Sequence, residues 1–178
     1  LEDGNETSRR ETARRIVSQP KDEILAIGTQ GSLPGVPLTG SVVYLAHANA
    51  WVMRHSSDEK RPLTSTGDLD GRVFSLSSDG RYLLFSRAMD EASNSLNTLW
   101  LMDTLILGEQ PRALSVGNAL FAQLSSDARA IAYSTGEKTP GAPGWKARND
   151  LWIMPITPSD SGITTQPPQQ IWKPSMPA

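Results

Sequence analysis

Cysteine is absent, which excludes disulfides, thiolate metal sites and thiol nucleophiles. Histidine is almost absent too: His47 and His55 are the only two, so a Ser-His-Asp triad has little support. No Gly-x-Ser-x-Gly elbow, phosphate-cradling P-loop or His-Glu-x-x-His helix occurs. No apolar run approaches the ~18 residues that a membrane-spanning helix needs. Charge of one sign is lacking as well. Seventeen basic and nineteen acidic residues are interspersed, for a net charge of -2, so no broad basic field attracts nucleic acid or anionic lipid. What is present is a hydrophobic content of 38% in 178 residues, enough for a folded globular core.

The strongest positive signal is internal repetition. Residues 76–86 read LSSDGRYLLFS and residues 124–134 read LSSDARAIAYS, an offset of 48. A second phrase follows each: Leu99, Trp100, Leu101, Met102, and 52 residues later Leu151, Trp152, Ile153, Met154. Ala50, Trp51, Val52, Met53 match it 49 residues before Trp100. Short closing runs come next, at residues 61–64 (RPLT), 112–115 (RALS) and, more loosely, 170–173 (QIWK). Each unit thus holds four short apolar runs.

Tyr82, Leu83, Leu84 and Phe85 are rich in aromatic and branched types over a span too short for a helix, with Asp79-Gly80 before them as a tight-turn signal. These runs are expected to be antiparallel strands. Ala128 replaces Gly80 in the next unit, and a Cβ resists positive φ at a cost of about 1 kcal/mol, so a different turn geometry is expected there. A four-stranded unit at this period is the mark of a propeller blade, because a small twisted sheet cannot bury both faces until neighbours stack on it. Trp51, Trp100 and Trp152, with Phe85 and Tyr133, are then inter-blade packing residues, and Asp79, Gly80 and Asp127 are turn residues.

Ser-x-Asp-Gly-Arg before an apolar strand and Leu-Trp-x-Met after it resemble the repeat of TolB-like β-propellers, over roughly residues 41–173. Related repeats occur in the propellers of tricorn-type and prolyl-oligopeptidase-type peptidases. The family more often has Pro where Ser78 and Ser126 stand, and the first unit lacks a clear Ser-x-Asp-Gly phrase. The resemblance implies an all-β fold of four-stranded antiparallel blades, about three of them in a partial ring. It also implies a periplasmic or extracellular location and a non-enzymatic role in binding or scaffolding proteins. The alternative is part of a substrate-gating propeller for a peptidase whose catalytic domain lies elsewhere. A weaker third is a lectin-like sugar-binding propeller. Ring closure is expected from a second copy, another chain or further blades, since open blade faces would be large apolar patches.

The expected organisation is an N-terminal extension at 1–23 and blades at approximately 24–66, 67–117 and 118–174, within 24–178. Ser8 and Glu11 form a capping box for a short helix over residues 6–17, and residues 24–28 are the candidate first strand. Residues 31–40 are expected to be a loop, and 155–168 a flexible connection. The loops between second and third strands, at 88–97 and 135–149, should emerge on one face. The longer one carries Trp145 flanked by Lys146 and Arg148, an interface-anchor composition, and the shorter carries Asp90 and Glu91. Asp68, Asp70 and Asp79 faintly match a calcium loop whose other ligands are missing. No cofactor or metal is expected, and no membrane span.

Overall fold

The computed structural model describes residues 34–90, 93–159 and 162–173, all within the unit Pro34–Ala178. The helix expected at 6–17 and the first-strand candidate at 24–28 lie outside the described residues. Within them the fold is all-β, with twelve antiparallel strands in three sheets and no helix.

The middle sheet is a four-stranded meander of β3 (Leu69–Leu76), β4 (Tyr82–Ala88), β5 (Asn97–Asp103) and β6 (Arg112–Gly117). Its sequence is apolar on both faces because both are covered. Tyr82 and Leu84 enter one core and Leu83 and Phe85 the other, as the two-residue period of a strand dictates. Likewise Leu99 and Leu101 face one way and Trp100 and Met102 the other. Leu83, Leu84 and Phe85 are 0% exposed, and each such side chain contributes about 2 kcal/mol of burial.

On one side lies the pair β1 (Pro37–Ala46) and β2 (Asn49–Pro62), which contributes Val43, Ala50 and Val52 to the shared core. β1 already begins at Pro37, so the expected loop over 31–40 ends earlier; its register shifts between Pro37 and Ser41. The closing strand expected at 61–64 is not a separate element: β2 itself runs on to Pro62, and the chain after it turns back so that Leu63 N–H donates to the Ala50 carbonyl at 2.8 Å.

On the other side lies the third sheet: β7 (Ala119–Leu124), β8 (Ala130–Lys138), β9 (Trp145–Ala147), β10 (Leu151–Ser159), β11 (Gly162–Thr165) and β12 (Gln169–Trp172). Trp152 of β10 pairs with Tyr133 of β8 across one edge and with Gln170 of β12 across the other. β11 continues that second edge, from Ile156 opposite Thr165 to Ser159 opposite Gly162. The flexible connection expected at 155–168 is therefore mostly a hairpin. The prolines suggested a break, but Met154 and Ile156 at alternate positions of β10, and Ile163 of β11, are buried in the core, which holds the strands in place.

The repeated turns also correct an expectation. Ala128 stands at φ 53° and donates to the Ser125 carbonyl at 2.9 Å, as Gly80 at φ 73° donates to Ser77 at 2.9 Å. The geometry is kept, and the strained backbone with it, because hydroxyl and carboxylate set the turn. Ser77 donates to Asp79 at 2.5 Å and Ser125 to Asp127 at 2.6 Å, and each carboxylate accepts the N–H two residues on, Arg81 at 3.0 Å and Arg129 at 3.1 Å.

Candidate functional site

The turns at 77–80 and 125–128 lie at one end of the strands, and the connections after β4 and β8 at the other. Those two connections meet. Lys138 Nζ, near the end of β8, donates to Asn94 Oδ1 on the connection from β4 to β5 at 3.2 Å.

The connection at 135–149 is not an open loop. β8 runs on to Lys138 and pairs with β9, with Gly136 opposite Ala147, Glu137 opposite Lys146 and Lys138 opposite Trp145. Gly136 permits this path, since a Cβ there would meet the Leu120 side chain at 3.2–3.3 Å. The tip closes through Thr139 N–H to the Gly144 carbonyl at 2.8 Å, contains a cis Ala142–Pro143 bond, and needs glycine at φ 82° (Gly141) and 83° (Gly144). A segment rich in Gly and Pro at its tip reads as loop throughout, and only the polar strand flanks, GEK and WKA, mark the hairpin.

Asp150 fastens the base of this hairpin. Its carboxylate accepts Thr135 N–H at 2.7 Å, the Thr135 hydroxyl at 2.6 Å and Trp152 Nε1–H at 2.8 Å. Burial alone would raise the Asp150 pKa; the Thr135 and Trp152 donors outweigh it and hold the carboxyl below its ordinary value. Trp152 stacks on Tyr133 with ring centroids 6.2 Å apart and planes 7° apart. Burial, with the Asp150 charge nearby, raises the Tyr133 pKa. Beside the stack is a crevice of about 250 Å³, lined by Val116, Tyr133, Thr135, Arg148, Trp152 and Met154 among others. It falls short of the roughly 300 Å³ at which pockets begin to bury a drug-sized ligand.

The hairpin brings Trp145, Lys146 and Arg148 together. Trp145 is half-buried on the strand rather than free on a loop. Lys146 and Arg148 are exposed and share one partner, Glu137, at 2.8 and 3.7 Å, so half of their positive charge is neutralised locally. The hydrogen bond and charge of Lys146, then the Arg148 charge, hold the Glu137 carboxyl below its ordinary value. Asp90 is exposed, and its carbonyl accepts Ser93 N–H at 2.8 Å. Glu91 lies outside the described residues.

Asp70, weighed as a calcium ligand, accepts Arg72 N–H and Asn97 Nδ2–H at 3.0 Å each, and the Ser86 hydroxyl. Among the described residues no three His, Cys, Asp or Glu side chains gather as metal ligands. No helix among them is long and apolar enough to cross a membrane. Asn94, Lys138, Glu137 and Asp150 carry no motif in the sequence, although a polar residue two positions before each repeated Trp (Asn49, Thr98, Asp150) is a signal that points to Asp150. Protein-family models searched with this chain give no match, and neither do the curated proteins.

Proposed function

We propose that the chain is a group of TolB-type propeller blades serving as a non-enzymatic protein-binding or scaffolding module outside the cytoplasm. Two kinds of observation support the blade reading: the repeated phrases, and the face-to-face packing of three antiparallel sheets in chain order. Trp100 packs into the core shared with β1 and β2, and Trp152 into the core shared with the middle sheet, so each indole is turned toward the preceding sheet. Face-to-face stacking of this kind is how blades bury their apolar surfaces. The outer face of the third sheet carries Phe121, 53% exposed on β7 and opposite Ser134, with Gln123, Ala132 and Ile153 in the next row of the same face. A further blade or a second copy would cover that face and complete the ring.

The observation that carries the binding role is the projecting β8–β9 hairpin, cross-braced to the neighbouring connection by Lys138 and Asn94. It presents an aromatic and two cations on a rigid support at the edge where no repeat-forming residue is needed. Rigid aromatic and arginine side chains are the usual anchors of protein interfaces.

A photo-crosslinking residue at position 145, compared with one at the exposed Arg129 position at the opposite strand ends, tests this in the native source. One defined protein crosslinked at 145 and absent at 129, and lost on Arg148→Glu, is the expected result. Equal, diffuse crosslinking at both positions overturns the binding role. Light scattering tests the blade reading separately. A dimer of the 19.3 kDa chain that Phe121→Glu dissociates supports stacking, and a compact monomer indifferent to that substitution opposes closure by a second copy.

A further inference from the structure

Two arginines converge on one uncharged acceptor at the turn end of the strands. Arg54 Nη2 donates to the Thr104 carbonyl at 3.1 Å and to the Thr104 Oγ1 at 3.0 Å, and Arg61 Nη2 donates to the same carbonyl at 2.7 Å. Among the described residues, no carboxylate pairs with either guanidinium. The acids beside Thr104 are engaged elsewhere: Asp103 with Arg81 at 2.6 Å, and Glu109 as acceptor of the Asp103 N–H at 2.7 Å.

Three further observations bear on this pair. Arg54 Nε is buried and has no acceptor, and a buried donor of a charged group is costly to leave unpaired. Burial, and then the Arg54 charge, lower the Arg61 pKa, so the two cations lie close enough to repel each other. Finally, the acceptor that the arginine heads grip is fixed, because Thr104 is 0% exposed, donates its N–H to the Arg81 carbonyl at 2.7 Å and its hydroxyl to the Gly80 carbonyl at 2.8 Å.

The next three residues are apolar and turned to solvent: Leu105 is 55% exposed, Ile106 42% and Leu107 79%. Three consecutive large apolar side chains on a loop bury little against their own fold. They stand one residue from the carbonyl that the two guanidiniums grip.

We propose that Arg54 and Arg61 form an anion site for a carboxylate carried next to an apolar side chain, with Leu105, Ile106 and Leu107 receiving the apolar group. Guanidinium forks match planar carboxylates in two-point geometry. Phosphate offers the same acceptors, but the apolar run selects a ligand whose charge is followed within a residue by hydrocarbon. Two sources have that chemistry: the C-terminus of a chain ending in an apolar residue, and an internal Asp or Glu beside one. The site lies at the opposite strand ends from the β8–β9 hairpin and stands independently of the role given to that hairpin.

The test follows the arginine Nε–Hε resonances of the full chain by NMR. The probes are acetate, inorganic phosphate, N-acetyl-leucine, N-acetyl-aspartyl-leucinamide and phosphatidylglycerol vesicles. A saturable shift of the Arg54 Nε–Hε signal by one of the leucine compounds, about tenfold tighter than by acetate, is expected. The tighter of the two leucine compounds identifies a terminal or an internal carboxylate. Arg61→Gln should abolish the shift, and Leu107→Ser should reduce affinity to that of acetate. The wild-type titration stands by itself should Arg61→Gln not fold. Absence of any shift, phosphate binding tighter than both leucine compounds, acetate binding as tightly as they do, or binding of vesicles alone would each overturn the proposal.

Discussion

The indole N–H of Trp152 donates to the carboxylate of Asp150 at 2.8 Å, two residues back along the chain. Trp100 repeats the arrangement with the Thr98 hydroxyl at 2.8 Å. Trp51 does not: its Nε1 is buried without an acceptor, while Asn49 Oδ1, at the matching position, receives the Thr64 hydroxyl at 3.2 Å and Gly67 N–H at 2.9 Å. The same offset thus serves three different local needs, and only at Asp150 does one side chain both satisfy the indole and hold a hairpin base.

Asp150→Ala should cost about 3 kcal/mol, because it orphans the Thr135 N–H, the Thr135 hydroxyl and the Trp152 indole together. Asp150→Asn should cost less, since its amide oxygen replaces only part of that acceptor capacity. The sign with pH follows from the depressed folded pKa. The stabilisation is present above the unfolded value of 3.8 and is lost as pH falls through the folded pKa. Urea midpoints across that range should therefore show wild type losing its advantage over Asp150→Asn in acid; an advantage constant with pH would contradict it.

Gly80 and Ala128 occupy equivalent turns, and exchanging them should not be symmetrical. Gly80→Ala meets no close neighbour, with Ser41 Cβ at 4.0 Å, but forces a Cβ into φ 73°, which costs about 1 kcal/mol. Ala128→Gly relieves a similar strain at φ 53°, yet the Ala128 methyl is 4% exposed in the core between the sheets. Losing that burial removes about 0.8 kcal/mol and the freer unfolded chain a further ~0.5 kcal/mol. Ala128→Gly should then fail to stabilise. A midpoint gain in denaturant would show that the methyl contributes nothing.

The all-β fold and the middle sheet are legible because Tyr82, Leu83, Leu84 and Phe85 form a short apolar run that only a strand buried on both faces explains. The hairpins at 135–149 and 155–168 are not legible in the same way. Pro155 and Pro158 read as breaks, whereas they pair with Ala130 and Ile163; Pro140 and Pro143 do mark a turn, but it is the tip of a hairpin whose flanking strands they hide. The Ala128 turn misleads for a related reason: a residue-by-residue φ preference is weaker than the Ser125 and Asp127 hydrogen bonds that build the turn. Of the candidate site, Trp145, Lys146 and Arg148 are visible as composition, but Glu137 across the strand pair is visible only once the register is known. The Arg54 and Arg61 pair has no sequence signature, because Thr104, which joins them, is 43 or more residues away.

Glu109 should respond to neutralisation in the opposite sense from Asp150. Burial raises its pKa; the Asp103 N–H that it accepts at 2.7 Å and the Arg81 charge only partly offset this, and the Asp103 charge adds to it. A carboxyl with a raised folded pKa weakens the fold at neutral pH and stops doing so as pH falls below the unfolded value of 4.5. Glu109→Gln keeps an oxygen for Asp103 N–H and removes the charge. Its thermal midpoint should lie above wild type at pH 7 and converge with it in acid, and a midpoint below wild type at pH 7 would refute the assignment.

Arg87 of β4 sets its guanidinium over two rings of the middle sheet, its Cζ 4.2 Å from the centre of the Trp100 ring and 5.6 Å from that of Phe85. Its Nε stands 3.6 Å from Asp68, and the side chain is only 14% exposed, so the cation–π contact is largely shielded from solvent. Arg87→Ala should cost roughly 2 kcal/mol, part from the ring contact and part from the stem that covers it. Little of that comes from Asp68, which is 38% exposed and stays hydrated when its partner is removed. Arg87→Lys restores the charge without the planar face, and should recover less than half. Unfolding followed by tryptophan fluorescence separates the two contributions. Full recovery by lysine would mean that charge alone matters, whereas a loss in both variants that persists at high salt places the stabilisation in the guanidinium over the ring.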